Sequence, residues 1–329
     1  MEYCKAISEN IPGFLLDAAR TPPMLRLQDV GMNCGCEYTS FPQFANLPRY
    51  SRWQHSLGVA RIVWRFTRDP AQALAGLLHD IATPAFAHVI DFLRGDHLLQ
   101  ESTEDGTREI IAQSPELQAV LASLALSTDE VCDYHRYPVA DNDAPRLSAD
   151  RLEYTLGNAV NYGFCDEAWV KRCLDDLRVG TNEDGGNELM FQAPEIAHAF
   201  ALNALRCSRV YVSDADRYAM QALANLLRDA CSEGVVTERD LHATEPELIA
   251  KLCRSDVCAR RWRAFRALRE TRAAAAPGRE PGWLRIPAKK RRIDPMVMGQ
   301  GRASRLFLDF ADDLAAFMAQ PQDYWVLGV

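Results

Sequence analysis

The 329-residue sequence predicts an all-α fold, with a helical body over residues 1–275 and a small C-terminal α+β extension, 276–329, packed on it. Three observations lead there. Apolar residues recur at spacings of three and four through most of the first 275 positions, the signature of helices that bury one face. Prolines and capping residues punctuate those runs at helix-length intervals. After AAAAPGREPGW the composition changes to WLRIPAKKRRIDPMVM, where Ile286, Ile293, Val297 and Met298 surround a basic run in a β-like pattern. A hydrophobic fraction of 48% over this length supports a substantial core.

Taken in order, Ile7, Ile11, Phe14, Leu15 and Ala18 predict a first helix, and Pro22-Pro23 open a second through MLRLQDVGM, where a missing N–H does no harm. Residues 31–51 mix Gly, Pro, Asn and aromatics, which suits a loop over the mouth of a site, with Cys34-Gly35-Cys36 as a turn. From Ser51 the spacing of Leu57, Val59, Ile62, Val63 and Phe66 predicts a helix that turns His55 inward. Asp69-Pro70 starts the next helix, apolar nearly all round and therefore central, which carries His79-Asp80. Thr83-Pro84 breaks it, and a helix from Ala85 to Leu93 sets His88 and Asp91 three apart on one face.

Residues 94–108 read as a polar surface connection, and Ser114-Pro115 opens a further helix. Ser148 is an N-cap candidate for ADRLEYTLGNAV, on which Asp150, Tyr154 and Asn158 share a face beside Arg151. The hydrophilic 180–188 reads as an exposed loop or hairpin. Helical spacing returns over Ala193–Asp229 and from Glu238 to Ala275, and the helix Arg305–Met318 closes the chain.

The balance of 37 Lys+Arg against 45 Asp+Glu, a net charge of −8, argues against a surface built to hold nucleic acid or an anionic membrane. No apolar run reaches the roughly 20 residues that span a bilayer. The opening MEYCKAISENIPGF lacks the layout of a signal peptide, so a cytoplasmic location is expected. Ten dispersed cysteines fit reduced, buried thiols better than a disulfide framework.

The chemistry gathers in Arg52–Asp91 and around Asp150. Imidazoles and carboxylates in an apolar stretch are costly unless they bind something, and His55, His79, Asp80 and Asp150 offer nitrogen and oxygen donors suited to a divalent metal. Such a centre serves phosphate-ester hydrolysis. Arg52, three before His55, and Arg151, next to Asp150, are placed to meet phosphoryl oxygens; His88 and Asp91 form a candidate proton-transfer pair. His97 and His135 leave a dinuclear centre open. The run Lys289-Lys290-Arg291-Arg292 reads as a solvated or inter-subunit face in preference to a phosphate contact.

These residues carry a resemblance. RWQHSLGV, then AGLLHDIATPAFAH with Asp91, then SADRLEYTLGN resemble the HD-domain phosphohydrolase superfamily, most closely its branch of deoxynucleoside triphosphate triphosphohydrolases. TPPMLRLQDVG and KKRRIDP extend the likeness over most of the chain, thinly after residue 165. The resemblance implies an HD-domain helical fold, with His55, His79, Asp80 and Asp150 as ligands to one divalent ion such as Mn, Fe, Mg, Ni, Co or Zn. It implies Arg52 and Arg151 at phosphate, Tyr154 near a nucleoside sugar, His88, Asp91 and Glu101 as catalytic groups, and a homo-oligomer acting on a nucleotide or similar small phosphate ester. Where that branch has His-Gly-Pro after the His-Asp pair this chain has Ala82-Thr83-Pro84, where it has His-Glu this chain has Gln100-Glu101, and where it has Arg-Asp this chain has Gly157-Asn158. Three readings therefore stand: a triphosphohydrolase, a phosphomonoesterase or phosphodiesterase of the same fold, and a nucleotide-sensing module with impaired catalysis.

Overall fold

The computed structural model describes residues 11–95 and 106–329; His97, Gln100 and Glu101 lie outside the described residues. The body is a helical array: Gly13–Ala19, Pro22–Arg26, Arg52–Thr67, Pro70–Leu78, Val89–Arg94, Thr107–Gln113, Pro115–Ser123, Thr128–Val131, Ala149–Asn161 and Glu167–Asp176, then Pro194–Tyr211, Asp214–Ser232, Glu238–Leu241, Glu245–Leu252 and Asp256–Ala267. Among the described residues no helix is long and apolar enough to cross a membrane.

The helices begin where the local chemistry says they should. Ser51 accepts from the Gln54 N–H while Gln54 returns the bond to the Ser51 N–H, a reciprocal capping box. Asp69 caps the central helix ahead of Pro70, and Ser148 accepts from the Arg151 N–H as expected. Arg52–Thr67 packs on both Pro70–Leu78 and Ala149–Asn161. Its approach to the latter depends on Gly58: a Cβ there would sit 2.4 Å from Glu153 Oε1.

Two local expectations are corrected. His79-Asp80 is not inside the central helix but at its C-terminal end, with His79 as the C-cap and Asp80–Ala82 in a turn. Arg26 reaches that turn and donates to the carbonyls of Ile81 (3.0 Å) and Thr83 (2.7 Å), which supplies the released backbone oxygens with a donor. The following helix starts at Val89, not Ala85, because Phe86 (φ 62°) and Ala87 (φ 46°) are left-handed and the Ala85 N–H is taken by Leu241 O.

Strands occur on both sides of residue 275. In the four-stranded sheet β1 (Leu177–Thr181) pairs antiparallel with β2 (Asn187–Phe191), β2 parallel with β5 (Met296–Val297), and β5 antiparallel with β6 (Gly301–Arg302). In the other sheet β7 (Trp325–Gly328) lies between β3 (Thr271–Ala274) and β4 (Leu284–Arg285). The 180–188 segment is thus a hairpin that takes the extension's strands as its continuation. The closing helix is split into Ala303–Leu306 and Leu308–Ala319. One large apolar core lies around Arg52–Thr67 and Pro70–Leu78, and a second around Asp214–Ser232; the principal cavity draws residues from both sides.

Candidate metal centre and active site

Three helices bring the donors together. His55 comes from the first turn of Arg52–Thr67, His79 and Asp80 from the end of the central helix, and Asp150 from the first turn of Ala149–Asn161. Donor atoms of His55, His79 and Asp80 lie within 4.8 Å of one another, and all three residues are buried. Asp150 Oδ1 lies 3.0 Å from His55 Nε2 and 3.7 Å from His79 Nε2, while Asp80 Oδ2 lies 3.8 and 3.5 Å from the same two nitrogens.

The arrangement fixes which face of each ring is available. His55 Nδ1 is held by Glu153 Oε2 at 2.5 Å, and His79 Nδ1 by Gly76 O at 2.8 Å. A carboxylate or carbonyl on Nδ1 sets the tautomer that turns Nε2 toward a metal. Tyr50 Oη donates to the same Glu153 oxygen at 2.5 Å, and a Cβ on Gly157 would collide with that hydroxyl at 2.4 Å. Asp80 is held by Arg52 Nη1, 3.0 Å from both its oxygens, and by Thr83 Oγ1 at 2.7 Å.

The electrostatics follow. Burial opposes the Asp80 anion, but Arg52, the two imidazoles and Thr83 outweigh it and hold the carboxyl far below the ordinary range. Asp150 is kept at about 2 against burial by His55, His79 and Arg151. Burial also opposes the His55 cation, yet Glu153 and Asp150 raise it to about 10. Convergent carboxylates and two oriented Nε2 atoms in a buried pocket make a donor set that fits a divalent ion.

This cluster forms part of the wall of a cavity of about 750 Å³. Of the residues expected at substrate, Arg52, Arg151 and Tyr154 all line it. Arg52 is engaged with Asp80, and Arg151 Nη1 with Asp141 Oδ1 (3.1 Å) and Asn142 Oδ1 (2.9 Å). His88 Nδ1 meets Asp91 Oδ2 at 2.9 Å, so the expected pair forms. Burial, with Arg291 and Arg52 nearby, holds the His88 imidazolium below its usual value, which leaves a neutral ring. His135 also reaches the cavity, with Nδ1 2.8 Å from Asp141 Oδ2. Glu101, the remaining catalytic candidate, lies outside the described residues.

The basic run is a correction. Residues 289–292 line the cavity, and Arg291 Nη2 lies 3.4 Å from His88 Nε2 with its guanidinium 6.0 Å from the Tyr154 ring centroid. Charge pattern alone suggested a solvated face; the short strands β4 and β5 on either side carry the segment across the cavity.

Residues 52–138 match the family model described as the HD domain. The protein is 27% identical over 243 residues to the uncharacterized protein YdhJ of Bacillus subtilis, 73% of this chain and 71% of that one. It is 28% identical over 168 residues to the metal-dependent phosphohydrolase cns2 of Cordyceps militaris, 50% of this chain and 46% of the relative. The fold is shared with a phosphohydrolase from Bacteroides thetaiotaomicron (TM-score 0.63, 15% identity, 97% and 96% of the two chains). It is shared also with a hypothetical protein from Aquifex aeolicus (TM-score 0.65, 16% identity, 97% and 93%).

Residues 52–138 therefore carry an HD domain, and the protein resembles metal-dependent phosphohydrolases that contain one. That domain marks the protein as a hydrolase of the HD type, and its His55, His79 and Asp80 form a cluster that could hold a divalent metal ion. Around the centre, the supporting groups Arg26, Tyr50, Thr83 and Glu153 were missed from sequence. A signal existed for Glu153, which follows Asp150 by three and so shares its helical face. For Arg26 there was none, since its partners are backbone oxygens 55 and 57 positions away.

Proposed function

We propose that this HD-domain protein hydrolyses the phosphate ester of a nucleotide or a related small molecule, with His55, His79, Asp80 and Asp150 holding the ion. The observation that carries the reading is one cavity lined by this donor set together with cations from two separate parts of the chain, Arg52 and Arg151 from the helical body and Arg291 from the C-terminal segment. A divalent ion held there supplies Lewis acidity, drawing charge from a phosphoryl oxygen and making water a better nucleophile near neutral pH.

The chain's own groups do the rest. Arg291, and Arg151 through the nitrogens not bound to Asp141 and Asn142, stabilise the charge that grows on the phosphoryl oxygens. Arg52 keeps Asp80 ionised and oriented. His88, neutral and steered by Asp91, can take a proton at Nε2 from the attacking water or pass one to the leaving oxygen. Tyr154 presents a ring against which a sugar or base can lie. Thr83, in the Ala82-Thr83-Pro84 that stands where the resembling branch carries His-Gly-Pro, donates to Asp80.

Two further readings keep a footing. The absence of that histidine, and Gln100 where the branch has another, favour simple phosphomonoester or phosphodiester cleavage over release of intact triphosphate. We also propose a homo-oligomer, on the resemblance. Purified protein should contain stoichiometric metal that is lost in His79→Ala and Asp150→Ala, with hydrolysis lost in parallel. Full turnover in either variant sinks the proposal. Phosphorus NMR of the products separates orthophosphate from triphosphate.

A further inference from the structure

A second concentration of positive charge lies outside the cavity, along the last helix before residue 275. Residues 254–272 hold seven arginines, no lysine and only two acids, Asp256 and Glu270, a local excess of five positive charges in a chain whose net charge is −8. Asp256 stands in the first turn of Asp256–Ala267, where the helix dipole favours an acid. That helix turns Cys258, Ala259, Trp262 and Phe265 inward, and the Trp262 ring lies 5.5 Å from Tyr38 and 5.4 Å from Phe265. All seven arginines are exposed. Arg261 is paired with Asp229 and Arg272 with Glu280, whereas Arg254, Arg260, Arg263, Arg266 and Arg269 have no ion pair among the described residues. Arg260, Arg263 and Arg266 recur at every third position of the helix, and Arg269 continues the spacing just beyond it. Like charges three apart on a helix repel, whereas a face that merely meets water alternates its signs, so this row carries a cost that a bound anion removes.

We propose that this face binds the phosphate backbone of a nucleic acid without regard to its sequence. Net charge describes the whole surface and is blind to the segregation of charge on it. Arginine alone supplies the cations here, and its planar guanidinium pairs with two oxygens of one phosphate. The other exposed side chains of the helix are Asp256, Val257, Ala264 and Ala267. Residues 254–272 contain no Asn or Gln and no exposed aromatic ring that could read or stack on a base, so the contacts fall to the backbone. A bilayer is the poorer match, because Trp262 and Phe265, the large side chains that an interfacial helix inserts, are buried. None of the five arginines without an ion pair lines the cavity, so the proposal does not rest on the phosphohydrolase reading.

The test is fluorescence anisotropy of labelled, mixed-sequence single-stranded RNA, single-stranded DNA and duplex DNA, each titrated with the full chain. Wild type should bind at least one of the three, and its affinity should fall steeply between about 50 and 200 mM salt, as counterion release requires. Arg260→Glu/Arg263→Glu should weaken binding about a hundredfold and make the slope against log salt shallower by about 1.5 or more. Arg20→Glu/Arg305→Glu makes the same change of net charge at exposed positions elsewhere and should bind as wild type does. No binding by wild type, or equal losses in the two double variants, overturns the proposal. So does displacement of the oligonucleotide by polyglutamate at equal charge, which would assign the face to an acidic protein. Binding only to vesicles of phosphatidylcholine and phosphatidylserine overturns it in favour of a membrane. Thermal unfolding checks that each variant folds; should the charge reversal fail there, Arg260→Ala/Arg263→Ala carries the comparison, with a loss of about tenfold expected.

Discussion

Glu153 is wholly buried, holds His55 Nδ1 at 2.5 Å, and is itself held by Tyr50. It does not line the cavity; it acts by aiming an imidazole. Replacing it with glutamine keeps the shape and removes the charge that orients the ring. Metal affinity should fall ten- to hundredfold, the range found for such supporting carboxylates, and equilibrium titration with Mn²⁺ or Zn²⁺ against a chelator measures it. Wild-type affinity in that variant would show that His55 is positioned by packing alone. Asp216 gives a pH prediction. Burial raises its carboxyl from 3.8 to about 8 on folding, so the native state keeps a proton that the unfolded chain releases. The penalty is absent below pH 4, grows as pH rises toward 8, and is then constant. Asp216→Asn lacks it, so its stability advantage over wild type should widen between pH 5 and pH 8; urea midpoints at the two pH values decide, and a constant gap refutes the assignment. The chemistry-bearing residues were legible because imidazole and carboxylate are conspicuous among alanines and leucines. Arg26 and Tyr50 were not, because nothing local distinguishes a supporting side chain from an ordinary one before its distant partner is known.

At the scale of elements, periodicity and caps identified the helices: Ser148 caps as read, and Ser51 and Asp69, read as helix starts, prove to be caps as well. What periodicity could not see was short strand. β4, β5 and β6 have two residues each, too few for alternation to register; β5 and β6 pair locally, but the other partner of β5, β2, lies more than a hundred residues away and the partner of β4 is at the chain end. The role of 286–293 was hidden for that reason. The segment divides its cations by direction: Arg291 faces His88 and Tyr154, whereas Lys290 Nζ donates to Met318 O (2.8 Å) and Gln320 O (2.5 Å) at the back. Arg291→Ala should therefore lower kcat/KM for phosphate esters ten- to hundredfold with metal content unchanged. Lys290→Ala should leave kcat/KM within about threefold and shift stability by about 1 kcal/mol at most, as for an exposed polar contact. Steady-state kinetics with metal analysis on both variants checks the pair; equal losses would remove the distinction.

The whole molecule is tied together through the residues just ahead of Asp150. Glu188, fully buried on β2, accepts from the Leu147 N–H at 3.0 Å and is paired with Arg302 of β6, whose two terminal nitrogens reach its two oxygens at 2.6 and 2.8 Å. Arg302 also bonds Glu183 and Asp294 O, and the Asp294 N–H bonds Pro145 O at 2.9 Å. Residues 145–148, which launch the helix carrying Asp150, are thus clamped by strands from the hairpin and from the C-terminal segment. On the other side Arg217, fully buried, donates to Ile286 O and pairs with Asp214. A division at residue 275 would cut both sheets, so the helical body and the extension should unfold as one. The decisive variant is Arg302→Ala, which leaves Glu188 charged and without its cation in the interior. Removing one partner of such a pair destabilises by about 3–5 kcal/mol. Denaturant unfolding should show one transition in wild type and a single, earlier one in the variant. Because the lost clamp holds the start of the Asp150 helix, metal should also dissociate faster, although Arg302 lies on no wall of the cavity. Two separate transitions, or an early transition with metal retention untouched, would mean that the extension is an independent appendage and that the centre is built by the helical body alone.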